Sequence, residues 1–395
     1  MSKKIIYAAL VIVAIYLLAL MKVAFREYDE SMAYSPVSAY ALMAVVALCL
    51  AVILRQGFRL LWQSKLTRLI FALWIICLFD AFLFGNPRTP MFKLTLVVSL
   101  WELVYLMFYI FQRTNPECVK ISHMFMVGFA VIAALVFLYS NNMRSMMLAE
   151  LKGREGNNLI FYILTLLPWL LLSSSKKHKT IILFIATVLC VISLKRSSQI
   201  MIICIDAFFV YQEFIKGMHN KFKAAIISLV LLCVFSLLVV YSNQLTESFA
   251  MERMSSVVED EGNGRIEHWK DAWGLIQSEQ SVFKMIFGHG YCAVEVDMNQ
   301  EFHSAHNDFL EVMYDFGILS FLIFIAIHIC LIKRLVYLLK TKSSYKIGFC
   351  ASYIIFFGMS MVSHLVIYPS YFILLTSYWG MIEAVYTTPE RKNRA

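Results

Sequence analysis

Charged residues are scarce in this sequence, and so are the residues that interrupt helices. Only 15% of the 395 residues are charged, whereas 60% are hydrophobic and the mean hydropathy is +0.71. Seven prolines and fifteen glycines exclude a collagen-like or low-complexity chain, and the apolar content is too high for a disordered one. The composition predicts a membrane protein with many spans, and we expect no nucleic-acid binding despite the net charge of +9.

The sequence also lacks the motifs of the commonest ligand sites. None of the nine cysteines belongs to a C-x-x-C pair, the usual zinc and redox spacing. Only Cys292 lies in a predicted outer segment, so the cysteines are predicted to be small core residues rather than disulfide partners. The glycine pair at 288–290 lacks the third glycine of a nucleotide-binding turn. We expect neither a metal nor a cofactor.

Long apolar runs are what the sequence has in abundance. A run of about 18 apolar residues crosses a bilayer as a helix, and shorter runs do so when flanking side chains reach the interface. Twelve such runs occur, at 5–21, 36–54, 69–84, 91–111, 124–139, 159–172, 181–194, 200–214, 224–241, 309–332, 347–368 and 371–386. Because lipid cannot hydrogen-bond to a bare backbone, the predicted fold is all-α, a polytopic transmembrane helical bundle of about 12 spans.

The lysines and arginines predict the orientation. With the N-terminus inside, the inner segments hold 22 of the 35 basic residues, and cytoplasmic loops carry such an excess. Both termini are therefore predicted to be cytoplasmic. The predicted regions are spans one to nine at 1–241, one large outer loop with short helices at 242–308, and the last three spans with a cytoplasmic tail at 309–395.

The outer loop is the only predicted extramembrane segment long enough to form a site of its own. After a Gly-Asn-Gly start signal, apolar residues recur at the spacing of one helix face. Arg265 begins this predicted helix, and His268, three residues on, shares a face with it. This pair is either an interfacial anchor with a snorkelling arginine or part of a functional face.

Two histidines precede the tenth predicted span. His303 and His306 are three residues apart, and either Ser304 or Asn307 would cap the following helix. A zinc site is disfavoured because no third ligand has a diagnostic spacing. Neutral imidazole is the usual proton acceptor near pH 7, so a general base or a hydrogen-bond donor at the membrane surface is the favoured interpretation.

Two adjacent cations contradict the charge bias. Lys195 and Arg196 lie in a short predicted outer turn between two spans. They either snorkel to the interface or hold a phosphate at membrane depth. Three acids, Asp80, Glu102 and Asp206, also fall in or near apolar runs. Without the paired broken helices of a transporter, packing is a better interpretation for them than ion transport.

Together these elements resemble the family of O-antigen polymerases and O-antigen ligases. The resemblance rests on the outer turn at 195–198, on the R-x-x-x-W of Arg265 and Trp269, on GHGY at 288–291 and on SAHNDFLEVMYDFG at 304–317. It is most specific from about 181 to 332. Many relatives have Ser-Arg-Gly-Ala at the outer turn, where this chain has Lys-Arg-Ser-Ser.

The resemblance implies a glycosyltransferase of the bacterial inner membrane with its active site facing the periplasm. Its donor would be an oligosaccharide on undecaprenyl diphosphate, and its partners the lipid bilayer and a chain-length regulator protein. Arg196 and Arg265 would hold the diphosphate, and His306 would accept the proton of the attacking sugar hydroxyl or orient it. The further candidate substrate-binding residues are Lys195, His303, Asn307 and His268.

Three functions remain open at this point. A polymerase, which the residue pattern at 304–317 favours, extends the chain by the next lipid-linked repeat. A ligase transfers the glycan to the lipid A core instead. A flippase or transporter for lipid-linked sugars would place its functional cations along the interior of the bundle.

Overall fold

The computed structural model describes residues 2–23, 36–56, 58–86, 89–148, 157–173, 175–216, 265–298, 304–366 and 369–387. The regular secondary structure of these residues is helical, without strands, which confirms the predicted all-α class. The predicted ninth span at 224–241, the loop residues 242–264 and His303 lie outside the described residues.

Sixteen α-helices are found in the described part of the chain. They are α1 Lys3–Val23, α2 Pro36–Gln56, α3 Lys65–Phe84, α4 Met91–Val97, α5 Leu100–Thr114, α6 Cys118–Leu148, α7 Ile160–Leu170, α8 Lys176–Ile192, α9 Arg196–Val210, α10 Arg265–Ser278, α11 Val282–Phe287, α12 Ala293–Asp297, α13 Asp308–Asp315, α14 Gly317–Lys340, α15 Lys346–Val362 and α16 Phe372–Thr387. A 3-10 turn at Phe58–Gln63 precedes α3, and a π turn at Tyr211–Ile215 extends α9.

Several of these helices can cross a membrane. Within the described ranges, α1, α2, α3, α6, α9 with its π turn, and α14 are long and apolar enough. The α4–α5 pair, bent by 44°, makes a seventh if it is one span. Helices α7 and α15 are apolar but shorter. The multi-span character is confirmed, whereas the count of about 12 stays a prediction.

Two predicted spans are divided in the structure. The run at 91–111 bends at Ser99, whose hydroxyl donates to the Thr95 carbonyl at 2.7 Å and so competes with the helix ladder. The run at 309–332 is divided between α13 and α14, and its second helix extends to Lys340. Hydropathy alone does not reveal such breaks because the residues on both sides are apolar.

The centre of the bundle is formed by α5 and α16. Nearly every side chain from Leu100 to Phe111 and from Phe372 to Ala384 is buried. The buried indoles find acceptors there: Trp169 donates to the Leu374 carbonyl at 3.0 Å and Trp379 donates to Ser352 at 2.9 Å. These two helices therefore supply much of the buried core of the bundle.

Ion pairs join the helices at one end of the bundle. Arg334 on α14 donates to both oxygens of Glu383 on α16, at 2.9 and 2.8 Å, and Ser64 donates to the same carboxylate at 2.6 Å. Lys176 and Lys346 both pair with Glu213. All of these lysines and arginines belong to predicted inner segments, so we call this end the basic end.

Candidate active site

Two glycines allow the loop helices to pack against the break between α13 and α14. Gly288 has φ +93° and Gly317 has φ +76°. A Cβ on Gly288 would lie 2.1 Å from the Asp315 carbonyl oxygen, and a Cβ on Gly317 would lie 2.2 Å from that of Ile286. The two turns, GHGY and YDFG, therefore fit together only because both positions lack side chains.

Asp315 fastens this junction. Its buried carboxylate accepts hydrogen bonds from the backbone N–H groups of Cys292 and Val294, both at 2.9 Å. Its carbonyl oxygen accepts from the N–H groups of His289 and Gly290, both at 3.0 Å. The GHGY segment is thus a packing turn that orders α12.

His289 links three parts of the loop. Its Nε2 lies 2.5 Å from a carboxylate oxygen of Glu279, just after α10, and its Nδ1 lies 3.1 Å from the Tyr314 carbonyl oxygen. Its ring stacks on Tyr314 with the centroids 4.0 Å apart. Tyr314 in turn donates to Asp297 at 2.8 Å. These contacts hold α10 and α12 against α13.

Asn307 caps α13. Its side-chain oxygen accepts from the N–H groups of Phe309 and Leu310 at 3.0 and 3.3 Å. Of the two predicted caps, Asn307 rather than Ser304 takes this role. The preceding residue, His306, has φ +50°, a conformation uncommon for a residue with a side chain. The cap therefore fixes the first residue of α13, and the φ of His306 sets the direction of its side chain.

Asp308 ties the start of α13 to the connection between α15 and α16. The Asp308 carboxylate is fully buried and accepts from Ser360 Oγ at 2.8 Å and from the N–H groups of Leu365 and Val366 at 3.1 and 3.3 Å. Burial raises the pKa of Asp308 to about 7. This contact brings a distant part of the chain beside His306.

The residue that this contact places beside His306 is His364, which the sequence did not predict as a site residue. The His364 ring lies 4.4 Å from the His306 ring, centroid to centroid. His364 Nδ1 lies 2.9 Å from Glu311 Oε2, and His364 Nε2 lies 3.0 Å from Ser304 Oγ. The other oxygen of Glu311 accepts a hydrogen bond from the backbone N–H of His306 at 3.1 Å. Glu311 thus holds both histidines.

One signal could have found His364. It falls within the predicted span at 347–368, and an ionisable residue inside an apolar run is a functional hypothesis by default. The helix itself ends at Val362, so His364 lies beyond the spanning segment.

Cations surround His306. Burial, and after it the nearby groups that can carry positive charge, together lower the pKa of the half-buried His306 to about 3. These groups belong to His364, Arg265, His268 and Lys195. At neutral pH the His306 imidazole is therefore neutral and a weaker base than an ordinary histidine.

Arg265 and Arg196 share the same surroundings. Burial lowers the pKa of Arg265, and the positive charge of Arg196 lowers it as well. Arg196 is the first residue of α9 and Arg265 is the first residue of α10. Two helices therefore begin with arginines close enough to interact electrostatically, and a helix N-terminus carries a positive partial charge.

Six of the seven predicted site residues are described, and all six lie at this end of the bundle, opposite the basic end. They are Lys195, Arg196, Arg265, His268, His306 and Asn307. The three acids predicted to be packing residues, Asp80, Glu102 and Asp206, lie within α3, α5 and α9. Asp206 accepts from Thr187 at 2.7 Å, and Asp80 has no hydrogen-bond partner among the described residues.

The fold and this constellation define a multi-pass helical membrane protein with cations and histidines gathered at one end of its bundle. Residues 181–325 match the family model described as O-antigen ligase. The match supports membership of the O-antigen ligase and polymerase family, whose members are glycosyltransferase-like membrane enzymes. It includes every predicted site residue but ends before His364. None of the curated proteins matches the chain.

Proposed function

We propose that this protein is a surface-polysaccharide polymerase of the bacterial inner membrane. It transfers an undecaprenyl-diphosphate-linked glycan onto the next lipid-linked repeat unit at the periplasmic face. The observation that carries the proposal is the meeting of Arg196, Arg265 and His306, residues far apart in the chain, at one end of a membrane-spanning bundle.

The cationic cluster suits an anionic leaving group. Transfer breaks the bond between the anomeric carbon and the diphosphate oxygen, and the electron pair leaves with the diphosphate. Arg196 and Arg265 repel each other, and a diphosphate that accepts bidentate hydrogen bonds from them offsets that repulsion. Charge that develops on the leaving group is stabilised by groups already in place, which is how such sites lower barriers. No cofactor is needed, because the donor is already activated.

His306 and its neighbours serve the acceptor. The acceptor hydroxyl oxygen bonds to the anomeric carbon as its proton departs, and His306 accepts this proton or orients the hydroxyl. Lys195, His268, His303 and Asn307 are proposed to bind the sugars or the diphosphate. The N-terminus of α13 adds a positive partial charge beside them.

The proposed orientation has the site in the periplasm and the basic end in the cytoplasm. Helices that alternate between the two ends, including the shorter α7, α8, α15 and α16, would cross the membrane together with the run at 224–241. This gives about 12 spans, with both termini inside and 242–308 as the periplasmic loop between 1–241 and 309–395. The proposed partners are the lipid bilayer and a chain-length regulator.

A ligase that transfers the glycan to the lipid A core is the second candidate, because the matching family model carries that description. Donor binding would be the same in both enzymes, so only the acceptor separates them. A flippase is less well supported, since the cations gather at one end of the bundle rather than along its interior.

The length distribution of surface polysaccharide tests the proposal. A deletion strain is complemented with wild type, Arg196→Ala, Arg265→Ala or His306→Ala at equal membrane abundance, and the polysaccharide is separated on gels. We expect each variant to lose the ladder and leave a single repeat on the core. Lys270→Ala, which removes an exposed cation from the same helix as Arg265, is the matched control and should keep the ladder.

Each alternative outcome has its own meaning. Loss of all attached glycan, with long polymer left on the lipid carrier, would make the protein a ligase. An unchanged ladder in all three variants would refute the site.

A further inference from the structure

Ser304, His364 and Glu311 form a buried chain of hydrogen-bonding groups beside the proposed site. Glu311 is 2% exposed, His364 8% and Ser304 9%. Because a buried carboxylate accepts but does not donate, His364 Nδ1–H donates to Glu311 Oε2 at 2.9 Å. This tautomer leaves His364 Nε2 as the acceptor for the Ser304 hydroxyl at 3.0 Å. The order hydroxyl, imidazole, carboxylate is the arrangement that moves a proton away from a hydroxyl group.

His306 and His364 differ in what faces them, although their rings are in contact. Around His306 lie the cations Arg265 and Lys195 and the imidazoles of His268 and His364. Around His364 lie three carboxyl groups, those of Glu311 and Asp308 on α13 and Glu295 on α12, besides His306. Burial alone would lower the pKa of His364, but the Glu311 carboxylate, by charge and hydrogen bond, raises it above its ordinary value. Of the two imidazoles, His364 is the stronger base.

We propose that Ser304, His364 and Glu311 are the proton relay for the acceptor hydroxyl, and that His306 orients that hydroxyl rather than deprotonating it. This inference rests on the proposed glycosyl transfer. As the acceptor oxygen bonds to the anomeric carbon, its proton passes to Ser304 Oγ, and the proton of Ser304 passes to His364 Nε2. The electron pair of the broken carbon–oxygen bond leaves with the diphosphate. The imidazolium is stabilised by Glu311 until it returns the proton to water or to the diphosphate.

The relay is built from parts that are far apart in the sequence. Ser304 precedes α13, Glu311 lies within it, and His364 follows α15. Asp308 holds the His364 connection in register through its bonds to the N–H groups of Leu365 and Val366. Glu311 contacts both histidines, since its second carboxylate oxygen accepts a hydrogen bond from the backbone N–H of His306. One carboxylate therefore sets the position of the proton acceptor and of the orienting histidine.

The rate of chain extension between pH 5 and 9 tests the relay. The probe is the lipid-diphosphate-linked repeat extracted from a deletion strain, added to membranes that contain wild type or a variant at equal abundance. The wild-type rate should rise with pH through the pKa of His364 and then level off. His364→Gln should lower the plateau by about 100-fold, the lower range for loss of general base catalysis, and should remove the acid limb.

Two further variants separate the relay from a structural role. Glu311→Gln removes the charge that raises the pKa of His364, so its acid limb should move to lower pH. Ser304→Ala should lower the rate, and Ser304→Thr, which restores a hydroxyl, should recover most of it. His306→Gln should lower the rate without moving the acid limb. His123→Gln, on α6, removes a histidine away from the relay and should behave as wild type.

The outcomes separate the relay from the function on which it rests. If His364→Gln is present in the membrane and keeps the wild-type rate and pH profile, the relay is refuted while the polymerase stands. If His364→Gln does not accumulate, the two Ser304 variants decide, and equal rates for Ala and Thr refute the relay. If the wild type does not extend this donor at all, the polymerase function fails and the relay fails with it.

Discussion

Arg196 and Arg265, whose positive charges repel each other, are the central residues of the proposed site. Burial lowers the pKa of the Arg265 guanidinium, and the positive charge of Arg196 lowers it as well, so the two like charges repel each other. Each arginine begins a helix, α9 or α10, whose N-terminal end carries a positive partial charge. At the residue scale, we propose that this arrangement suits a ligand with two or more negative charges.

The planar geometry of the guanidinium leads to a prediction. Arg196→Lys and Arg265→Lys keep the charge but lose the two parallel hydrogen bonds that a diphosphate accepts. We expect the initial rate of chain extension in membranes to fall at least ~10-fold in each variant, in keeping with the loss of a charge-assisted hydrogen bond of about 1.5–3 kcal/mol. Lys270→Arg is the control. Wild-type rates in both lysine variants would show that charge alone suffices and that no bidentate contact exists.

At the scale of elements, the junction between α11 and the α13–α14 break determines the shape of the site. Gly288 and Gly317 lie back to back there, and Asp315 caps α12 from the same place. The junction positions α10, and with it Arg265, against α13, which begins just after His306. Loop and bundle therefore form one site only if both turns close.

The glycines of this junction give a matched test. Gly288→Ala and Gly317→Ala each place a Cβ about 2 Å from a backbone oxygen, a clash that no side-chain movement relieves. We expect a loss of unfolding free energy above ~3 kcal/mol and reduced membrane abundance. Gly274→Ala, inside α10 with nothing within 4 Å of its added Cβ, should instead stabilise by ~0.5–1 kcal/mol. Thermal unfolding in detergent measures all three, and equal stability of the three variants would refute the junction.

At the same scale, the sequence predicts helices better than it predicts their breaks. The apolar runs predict most spans to within a few residues, because lipid exposure and burial both favour the same side chains. The break at Gly317 depends on the Ile286 carbonyl, which lies 31 positions earlier in the chain. Contacts between residues that far apart in the chain leave no periodic pattern in the sequence.

The site follows the same rule. The sequence predicts Arg196, Arg265 and His306 because cations and histidines are unusual at a membrane surface, and it predicts Asn307 as a possible cap because Asn is a preferred residue there. It does not predict His364, whose place beside His306 depends on Asp308 binding the α15–α16 connection. Candidates with unusual side-chain chemistry could therefore be predicted from the sequence, whereas His364, which tertiary contacts bring beside His306, could not.

At the scale of the whole molecule, polarity is distributed along the axis of the bundle. The basic end holds the Arg334–Glu383 pair and the lysines around Glu213. The opposite end holds the cations of the site. In the proposed orientation, only the first set follows the cytoplasmic excess of Lys and Arg. The second set has no topological reason to be there, which is why a function for it is the better explanation.

Extension of a lipid-linked repeat by the purified protein in liposomes tests this account most directly. With the lipid-diphosphate-linked repeat as the only glycan, we expect longer lipid-linked chains and one free undecaprenyl diphosphate for each bond formed. The Arg196→Ala/Arg265→Ala double variant should form neither product. Extension that is unchanged in the double variant, or transfer that begins only after lipid A core is added, would contradict the account.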